Sequence, residues 1–152
     1  MNKMIFIGGF PVAGKSTFAT RLSERLRIPV FHKDIIREKM ADGFGRENVE
    51  LINADKKGSK ATMHLMHHIA EQFMQTGNAC IMESNFSVLY PQPVSEVETY
   101  KLLYCVRSRL DEISIGQTLQ VDTTDFAKVD FNGLFILAED FMYSRKTTFT
   151  NT

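Results

Sequence analysis

Residues 9–16 hold the side chains best suited to chemistry in this sequence. They fit the pattern G-x-x-x-x-G-K-[ST] without a mismatch, which is typical of a phosphate-binding loop. The backbone N–H groups of such a loop form a concave anion site, and the N-terminus of the next helix adds positive charge. Lys15 can reach the β- and γ-phosphates, and the Ser16 hydroxyl can ligate Mg²⁺. The predicted nucleotide-binding residues of this segment are Gly9, Phe10, Pro11, Val12, Ala13, Gly14, Lys15, Ser16 and Thr17.

An acidic and a basic side chain, those of Asp34 and Arg37, follow the second predicted strand. Asp34 and Arg37 are three residues apart at the start of a predicted helix, so they share one of its faces. The Asp34 carboxylate could take a proton from a substrate hydroxyl as general base, and the Arg37 guanidinium could hold an anionic group. The alternative is that Asp34 is an N-cap that forms a local ion pair with Arg37. We predict Lys15, Asp34 and Arg37 as the catalytic residues.

Further acids end two other predicted strands. Glu83 follows an apolar strand, where P-loop proteins often carry a magnesium-organising acid, so we predict it as a metal-site residue together with Ser16. The alternative for Glu83 is a carboxylate that faces water. Asp122 and Thr123 could border the nucleotide base, or their segment could form an Asx turn that caps the next element.

Three histidines lie on one predicted helix, and two of them, His64 and His68, share a face. Two ligands without a third nearby make a weak metal site. A solvated helix face is therefore the favoured interpretation of His64, His67 and His68.

Five short apolar segments predict strands that alternate with helices, at residues 4–7, 30–31, 79–82, 101–106 and around 119–121. Near-continuous apolar strands of this kind indicate a parallel sheet covered on both faces, which is α/β architecture. The ligand of such a sheet lies beyond the carboxyl ends of the strands. We therefore expect the polar residues that end these strands to gather around one crevice: Gly9, Asp34, Glu83, Arg107 and Asp122.

Apolar residues at helical spacing predict four helices. The first is expected to end before Pro29, and the second to span residues 34–41. The third is expected to have Ser59 as its N-cap and Gly77 as its C′ residue. Asp130 is expected to cap the fourth.

The composition fits one domain over residues 1–152. A net charge of zero argues against a general binder of nucleic acid or membrane surfaces. No segment approaches the ~18 apolar residues that span a bilayer. Cys80 and Cys105 both lie in apolar strands, which favours buried free thiols in a reducing compartment. We therefore expect a soluble, cytoplasmic protein.

On residues 9–17, 32–37, 81–86 and 121–126 the sequence resembles a P-loop kinase-like family, whose members are often described as AAA-type ATPase domains. Its relatives include polynucleotide kinases and zeta-toxin-type and gluconate-type kinases. The resemblance implies a three-layer P-loop NTPase fold with a five-stranded parallel sheet of order 2-3-1-4-5. It also implies ATP and Mg²⁺ as cofactors, Asp34 as acceptor-side base, Arg37 as a substrate or phosphate contact and Glu83 as the acid after the third strand. In that order the first strand separates Cys80 from Cys105, so no disulfide is expected.

The sequence departs from the family between the fourth and fifth predicted strands. Relatives carry there a lid whose arginines close over the phosphates, but only residues 107–117 occupy this place. A parallel crossover needs a dozen or more residues, usually with a helix. Either the lid is deleted or a segment is missing at this point. Arg107 and Arg109 are the remaining candidates for its role, and we predict that Arg107 contacts the nucleotide.

Two functions follow from these observations. The first is a phosphotransferase that moves the γ-phosphate of ATP to a hydroxyl of a small-molecule acceptor. The second is a nucleotide-binding or slow ATPase module without kinase activity, which the missing lid favours. A kinase acting on nucleic-acid ends would need a basic groove, for which the sequence offers little. The expected partners are thus a nucleotide and a small acceptor, with neither nucleic acid nor a membrane.

Overall fold

A computed structural model describes residues 3–9, 11–45, 48, 57–85, 119 and 121–143 of the chain. The elements in chain order are β1 (Met4–Ile7), α1 (Lys15–Leu26), β2 (Val30–His32), α2 (Lys33–Phe44), α3 (Lys57–Gln75), β3 (Cys80–Glu83), a short 3₁₀ helix (Phe126–Lys128) and α4 (Phe131–Tyr143). No helix of the described residues is long and apolar enough to cross a membrane.

The three strands form a parallel sheet of order β1-β3-β2. Ile7 of β1 and His32 of β2 are both in register with Glu83 of β3, so the three strands end at the same level. The connections from β1 to α1 and from β2 to α2 therefore both begin at the carboxyl end of the sheet, beside Glu83 at the end of β3. This order matches the first three places of the predicted 2-3-1-4-5 sheet.

The rest of that sheet stays a prediction. The fourth predicted strand, residues 101–106, lies outside the described residues. Leu119 and Val121 were predicted in the fifth strand, and both are described without strand pairing.

Side chains of the strands alternate between two apolar clusters, one on each face of the sheet. Ile5 and Ile7 of β1 point to the face covered by α1 and α4, whereas Met4 points to the face covered by α3. The described part of the chain is thus a sheet between two layers of helices, as predicted. The first cluster contains Ile5, Ile7, Ala19, Leu22, Leu26, Ile81, Ala138, Phe141 and Met142. The second contains Met4, Met63, Met66, Ala70, Met74, Cys80 and Met82.

Two predicted helix caps are confirmed. Gly77 has a left-handed backbone with φ of 73°, and its N–H donates to Met74 O while that of Asn78 donates to Phe73 O. This pair of bonds is the Schellman motif that satisfies the last carbonyls of α3. At the start of α4 the Gly133 N–H donates to Asp130 Oδ1 at 2.9 Å. Asp130 is therefore the N-cap of α4.

Two predicted helix starts are wrong. Helix α2 begins at Lys33, and its N-cap is His32, so Asp34 lies inside the first turn. The helix also runs to Phe44, beyond the predicted end at residue 41, because the chain leaves the helical conformation only at Gly45. Helix α3 begins at Lys57, which places Ser59 inside it. Thr62 Oγ1 donates to Gly58 O at 2.7 Å, so the first turn already includes Gly58.

Candidate active site

The loop between β1 and α1 has the backbone of an anion site. Gly14 is the N-cap of α1 with φ of 74°, and the Phe18 N–H makes the first helical bond to its carbonyl. A Cβ on Gly14 would lie 2.8 Å from the Phe126 ring. The left-handed backbone therefore favours glycine at this point, and a side chain there would also have to displace the Phe126 ring. The positive end of α1 is thus directed toward the loop.

A cavity of about 280 Å³ lies beside this loop. Six predicted nucleotide-binding residues line it: Gly9, Ala13, Gly14, Lys15, Asp122 and Thr123. The rest of its wall is mainly apolar: Ile7, Gly8, Phe18, Val121, Thr124, Val129, Phe131 and Leu134. The cavity therefore joins a loop rich in backbone donors to an apolar chamber with one polar edge, a combination that suits a nucleotide.

Other predicted nucleotide-binding residues lie elsewhere. Pro11, Val12 and Thr17 are exposed and do not line the cavity. Phe10 and Arg107 lie outside the described residues.

The polar edge of the cavity is an Asx turn. Asp122 Oδ1 accepts hydrogen bonds from Thr124 N at 2.9 Å and from Thr124 Oγ1 at 2.6 Å. Asp125 Oδ1 accepts from Ala127 N and caps the 3₁₀ helix. The turn alternative for this segment is therefore confirmed. Contact of Asp122 and Thr123 with a nucleotide base stays a prediction.

Ser16 and Glu83 meet below the loop, as their predicted shared site requires. The Ser16 hydroxyl donates to Glu83 Oε2 at 3.3 Å. The same oxygen lies 3.0 Å from His32 Nδ1. On the other side of the imidazole, His32 Nε2 lies 3.4 Å from Thr20 Oγ1, which donates to Ser16 O at 2.9 Å. Four residues from α1, β2 and β3 therefore close a ring of contacts, which we call the Ser16–Glu83–His32–Thr20 ring.

Glu83 is buried, so its alternative interpretation as a carboxylate facing water is wrong. Its side chain is 7 % exposed and that of His32 is 10 % exposed. Glu83 ends its strand, but β1 and β2 on either side extend to the same level, so Glu83 lies between Ile7 and His32.

The Ser16 and Glu83 oxygens fit a magnesium ion. Mg²⁺ prefers oxygen ligands and is usually held by one or two carboxylates together with phosphates and waters. No group of three or more His, Cys, Asp and Glu side chains in the described ranges could hold a metal by itself. An ion bound here would therefore depend on the phosphates of the nucleotide for its remaining ligands.

Asp34 and Arg37 form the local ion pair that was the alternative to a catalytic role. Arg37 Nη2 lies 3.4 Å from Asp34 Oδ1, and the two side chains are 41 % and 70 % exposed. Asp34 follows His32 by two residues, so the pair lies beyond the carboxyl end of the sheet, where Glu83 also lies. Its catalytic role stays a prediction.

His32 is a site residue that was not predicted from the sequence. Its type and its place before Lys33 gave it no distinct role, because the contact with Glu83 depends on the pairing of β2 with β3. The signal that could have found it is its position as the last residue of β2, level with the acid that ends β3. His64, His67 and His68 are all exposed, in agreement with a solvated helix face.

The parallel sheet, the phosphate loop and the Ser16–Glu83 contact define a P-loop enzyme of the ATP-dependent kinase or ATPase class. The chain belongs to the AAA domain family, whose profile matches residues 4–98.

Two of the solved structures that are similar to the chain are kinases by name. A candidate kinase from Chloroflexus aurantiacus is 23 % identical with a TM-score of 0.76, and the match covers 92 % of this chain and 95 % of that one. A gluconokinase from Sinorhizobium meliloti is 14 % identical with a TM-score of 0.56, covering 95 % of this chain and 98 % of that one. At these identities the likeness concerns the fold. No curated protein matches the sequence significantly.

Proposed function

We propose that this chain transfers the γ-phosphoryl group of ATP to a hydroxyl group of a small-molecule acceptor. The observation that carries the proposal is the 3.3 Å contact between the Ser16 hydroxyl and the buried Glu83 carboxylate. It brings two oxygen ligands for Mg²⁺ to the start of α1, where the loop presents its N–H groups to phosphates. When bound, Mg²⁺ would neutralise phosphate charge.

Phosphoryl transfer needs positioning and electrostatic stabilisation more than covalent chemistry from the protein. Lys15 lines the cavity beside the loop and would stabilise charge on the γ-phosphoryl group. Asp122 and Thr123 would border the base at the polar edge of the same cavity. The apolar wall around Phe131 would exclude water from the base.

Asp34 would be the general base. Its carboxylate is largely open to solvent and therefore accessible to an acceptor, and it follows the end of β2 by two residues. Arg37 would hold that carboxylate or bind an anionic group of the acceptor. The gluconokinase neighbour suggests sugar acids and polyols as the first acceptors to test.

The test is transfer of label from γ-labelled ATP, with Mg²⁺, to a panel of hydroxyl-bearing metabolites. Asp34→Asn should lower transfer by at least about 100-fold, since general-base catalysis contributes 10²–10⁴. ATP affinity should stay unchanged, because Asp34 does not line the cavity. Glu38→Gln, an exposed acid of the same helix, is the matched control. Wild-type transfer by the Asp34→Asn protein would reject the base assignment.

A slow ATPase is the second candidate, and one observation favours it. No described residue donates a hydrogen bond to Glu83 Oε1, although the side chain is buried, so this oxygen could orient a water molecule. This function predicts free labelled phosphate and no labelled acceptor. Glu83→Gln would then abolish turnover, whereas Asp34→Asn would leave it intact. Labelled acceptor would exclude this candidate.

A further inference from the structure

The Ser16–Glu83–His32–Thr20 ring restricts the Glu83 carboxylate through one oxygen only. A carboxylate only accepts hydrogen bonds, so both the Ser16 O–H and the His32 Nδ1–H donate to Oε2. The other oxygen, Oε1, has no donor among the described residues. A buried carboxylate oxygen requires a donor or a cation. Oε1 is therefore the atom that Glu83 presents to a ligand.

Two donors are needed to fix the orientation of the Glu83 carboxylate, because the carboxylate of a glutamate rotates easily about its last torsion. The Ser16 hydroxyl is a single, exposed donor that itself rotates, so it cannot fix the plane of the carboxylate. The imidazole of His32 is rigid and 10 % exposed, and its second nitrogen lies next to Thr20 of α1. The imidazole is thus bonded to β3 through Nδ1 and lies beside α1 on its other side.

We infer that His32 is a positioning residue of this site. By holding Oε2, it orients Glu83 so that Oε1 is available to the Mg²⁺ of a bound nucleotide. The inference rests on the proposed nucleotide function. Residues that orient a metal ligand in this way typically change metal affinity or activity by about 10–100-fold when removed.

Matched variants separate this role from simple filling of space. An asparagine side-chain nitrogen is as many bonds from Cα as Nδ1 of histidine, whereas a glutamine nitrogen corresponds to Nε2. His32→Asn therefore keeps the donor to Glu83, and His32→Gln keeps only a group near Thr20. His64→Ala removes an exposed imidazole outside the site and is the control.

The measurement is Mn²⁺ affinity of the ADP complex, followed by electron paramagnetic resonance. His32→Ala and His32→Gln should bind Mn²⁺ about 10–100-fold more weakly than wild type, and His32→Asn within about threefold. ADP affinity without metal should be equal in all variants, and His64→Ala should match wild type. Wild-type Mn²⁺ affinity in His32→Ala, or an equal loss in His32→Asn, would overturn the inference. A wild type that binds neither ADP nor Mn²⁺ would reject the proposed function together with this inference. A wild type that binds both, with unchanged Mn²⁺ affinity in His32→Ala, would reject the role of His32 alone.

A second measurement needs neither nucleotide nor a folded alanine variant. Long-range ¹H–¹⁵N spectra of the nucleotide-free wild type report which nitrogen of each histidine carries a proton, and His32→Asn assigns the His32 signals. A proton on Nδ1 of His32 is expected. A proton on Nε2 alone would contradict the inference.

Discussion

Val12 has a backbone conformation that is costly for its residue type. Its φ is 67°, in the left-handed region, where a β-branched side chain is an outlier. The residue is 95 % exposed, so side-chain packing does not offset this cost. Strain of this kind is common in loops that clamp ligands. The phosphate-binding role predicted for this loop would explain why an unfavourable conformation is kept at Val12.

Val12→Gly should raise the free energy of unfolding of the nucleotide-free protein. Relief of the left-handed conformation gains roughly 1–2 kcal/mol. The greater freedom of glycine in the unfolded chain reduces this gain in unfolding free energy by about 0.5–1 kcal/mol. Urea denaturation measures the difference, with Val12→Ala as a control that keeps the unfavourable φ. A glycine variant less stable than the alanine variant would contradict this explanation.

Cys80 is a buried free thiol, and burial raises its pKa from 9.0 to about 12. Since the folded state favours the protonated thiol, its contribution to stability is complete below pH 9 and is lost as the pH rises toward 12. The unfolding free energy of wild type should therefore fall more steeply with pH above 9 than that of Cys80→Ala. Denaturant titrations at several alkaline pH values test this. Equal slopes would show that the thiol does not titrate differently on unfolding.

At the residue scale, types and spacing predicted Lys15, Ser16 and Glu83 because a phosphate loop and a strand-ending acid have local sequence patterns. They did not predict His32, whose partner is 51 positions away. They also could not decide between the roles of Asp34, because an ion pair and a catalytic base have the same spacing on a helix. Contacts that depend on strand register are not encoded in a local pattern.

Helices α1 and α4 are joined by a two-point ion pair on one face of the sheet. Arg25 Nε and Nη2 donate to the two oxygens of Glu139 at 2.6 and 2.9 Å. The hydrogen bonds from Arg25, with a further contribution from its charge, hold the pKa of Glu139 below its ordinary value, and burial acts in the opposite direction. The Arg25 guanidinium also lies 5.4 Å from the centre of the Phe135 ring. The pair therefore helps to fix α4, whose N-terminal half lines the cavity.

Glu139→Gln should lower the thermal midpoint at neutral pH. A carboxylate with a lowered folded-state pKa stabilises the fold above its unfolded pKa, and this stabilisation is lost as the pH falls through the folded value. The difference between wild type and Glu139→Gln should therefore shrink in acid. Asp140→Asn is the matched control, since Asp140 has no ion-pair partner in the described part of the chain. A pH-independent difference would show that the loss is not electrostatic.

At the element scale, the sequence correctly predicted two capping residues and misplaced two helix starts. Gly77 and Asp130 carry strong, local capping chemistry, and both act as expected. Asp34 and Ser59 are also good capping residues, but the helices begin before them. Helix α2 follows β2 without a connecting residue, so the strand end rather than a capping side chain decides where it starts.

Over the whole described molecule, two apolar clusters on opposite faces hold the three strands, and the N-terminal strand is tied to the last helix. Lys3 Nζ donates to the carbonyl oxygens of Phe141 and Met142 at the end of α4. Near-continuous apolar strands that alternate with helices predicted this layered α/β arrangement, because such strands are buried on both faces. The position of the fourth and fifth strands stays a prediction, and so does one domain over residues 1–152.

Nucleotide binding by residues 9–16 is tested most directly by isothermal titration calorimetry with ATP and Mg²⁺. Wild type should bind with measurable heat. Lys15→Ala should bind about 10–100-fold more weakly, because a hydrogen bond from a charged group contributes about 1.5–3 kcal/mol. Lys39→Ala, which removes an exposed lysine of α2, should bind like wild type. Absence of heat from wild type with ATP and with GTP, or equal affinity in Lys15→Ala, would contradict a phosphate-binding loop in this protein.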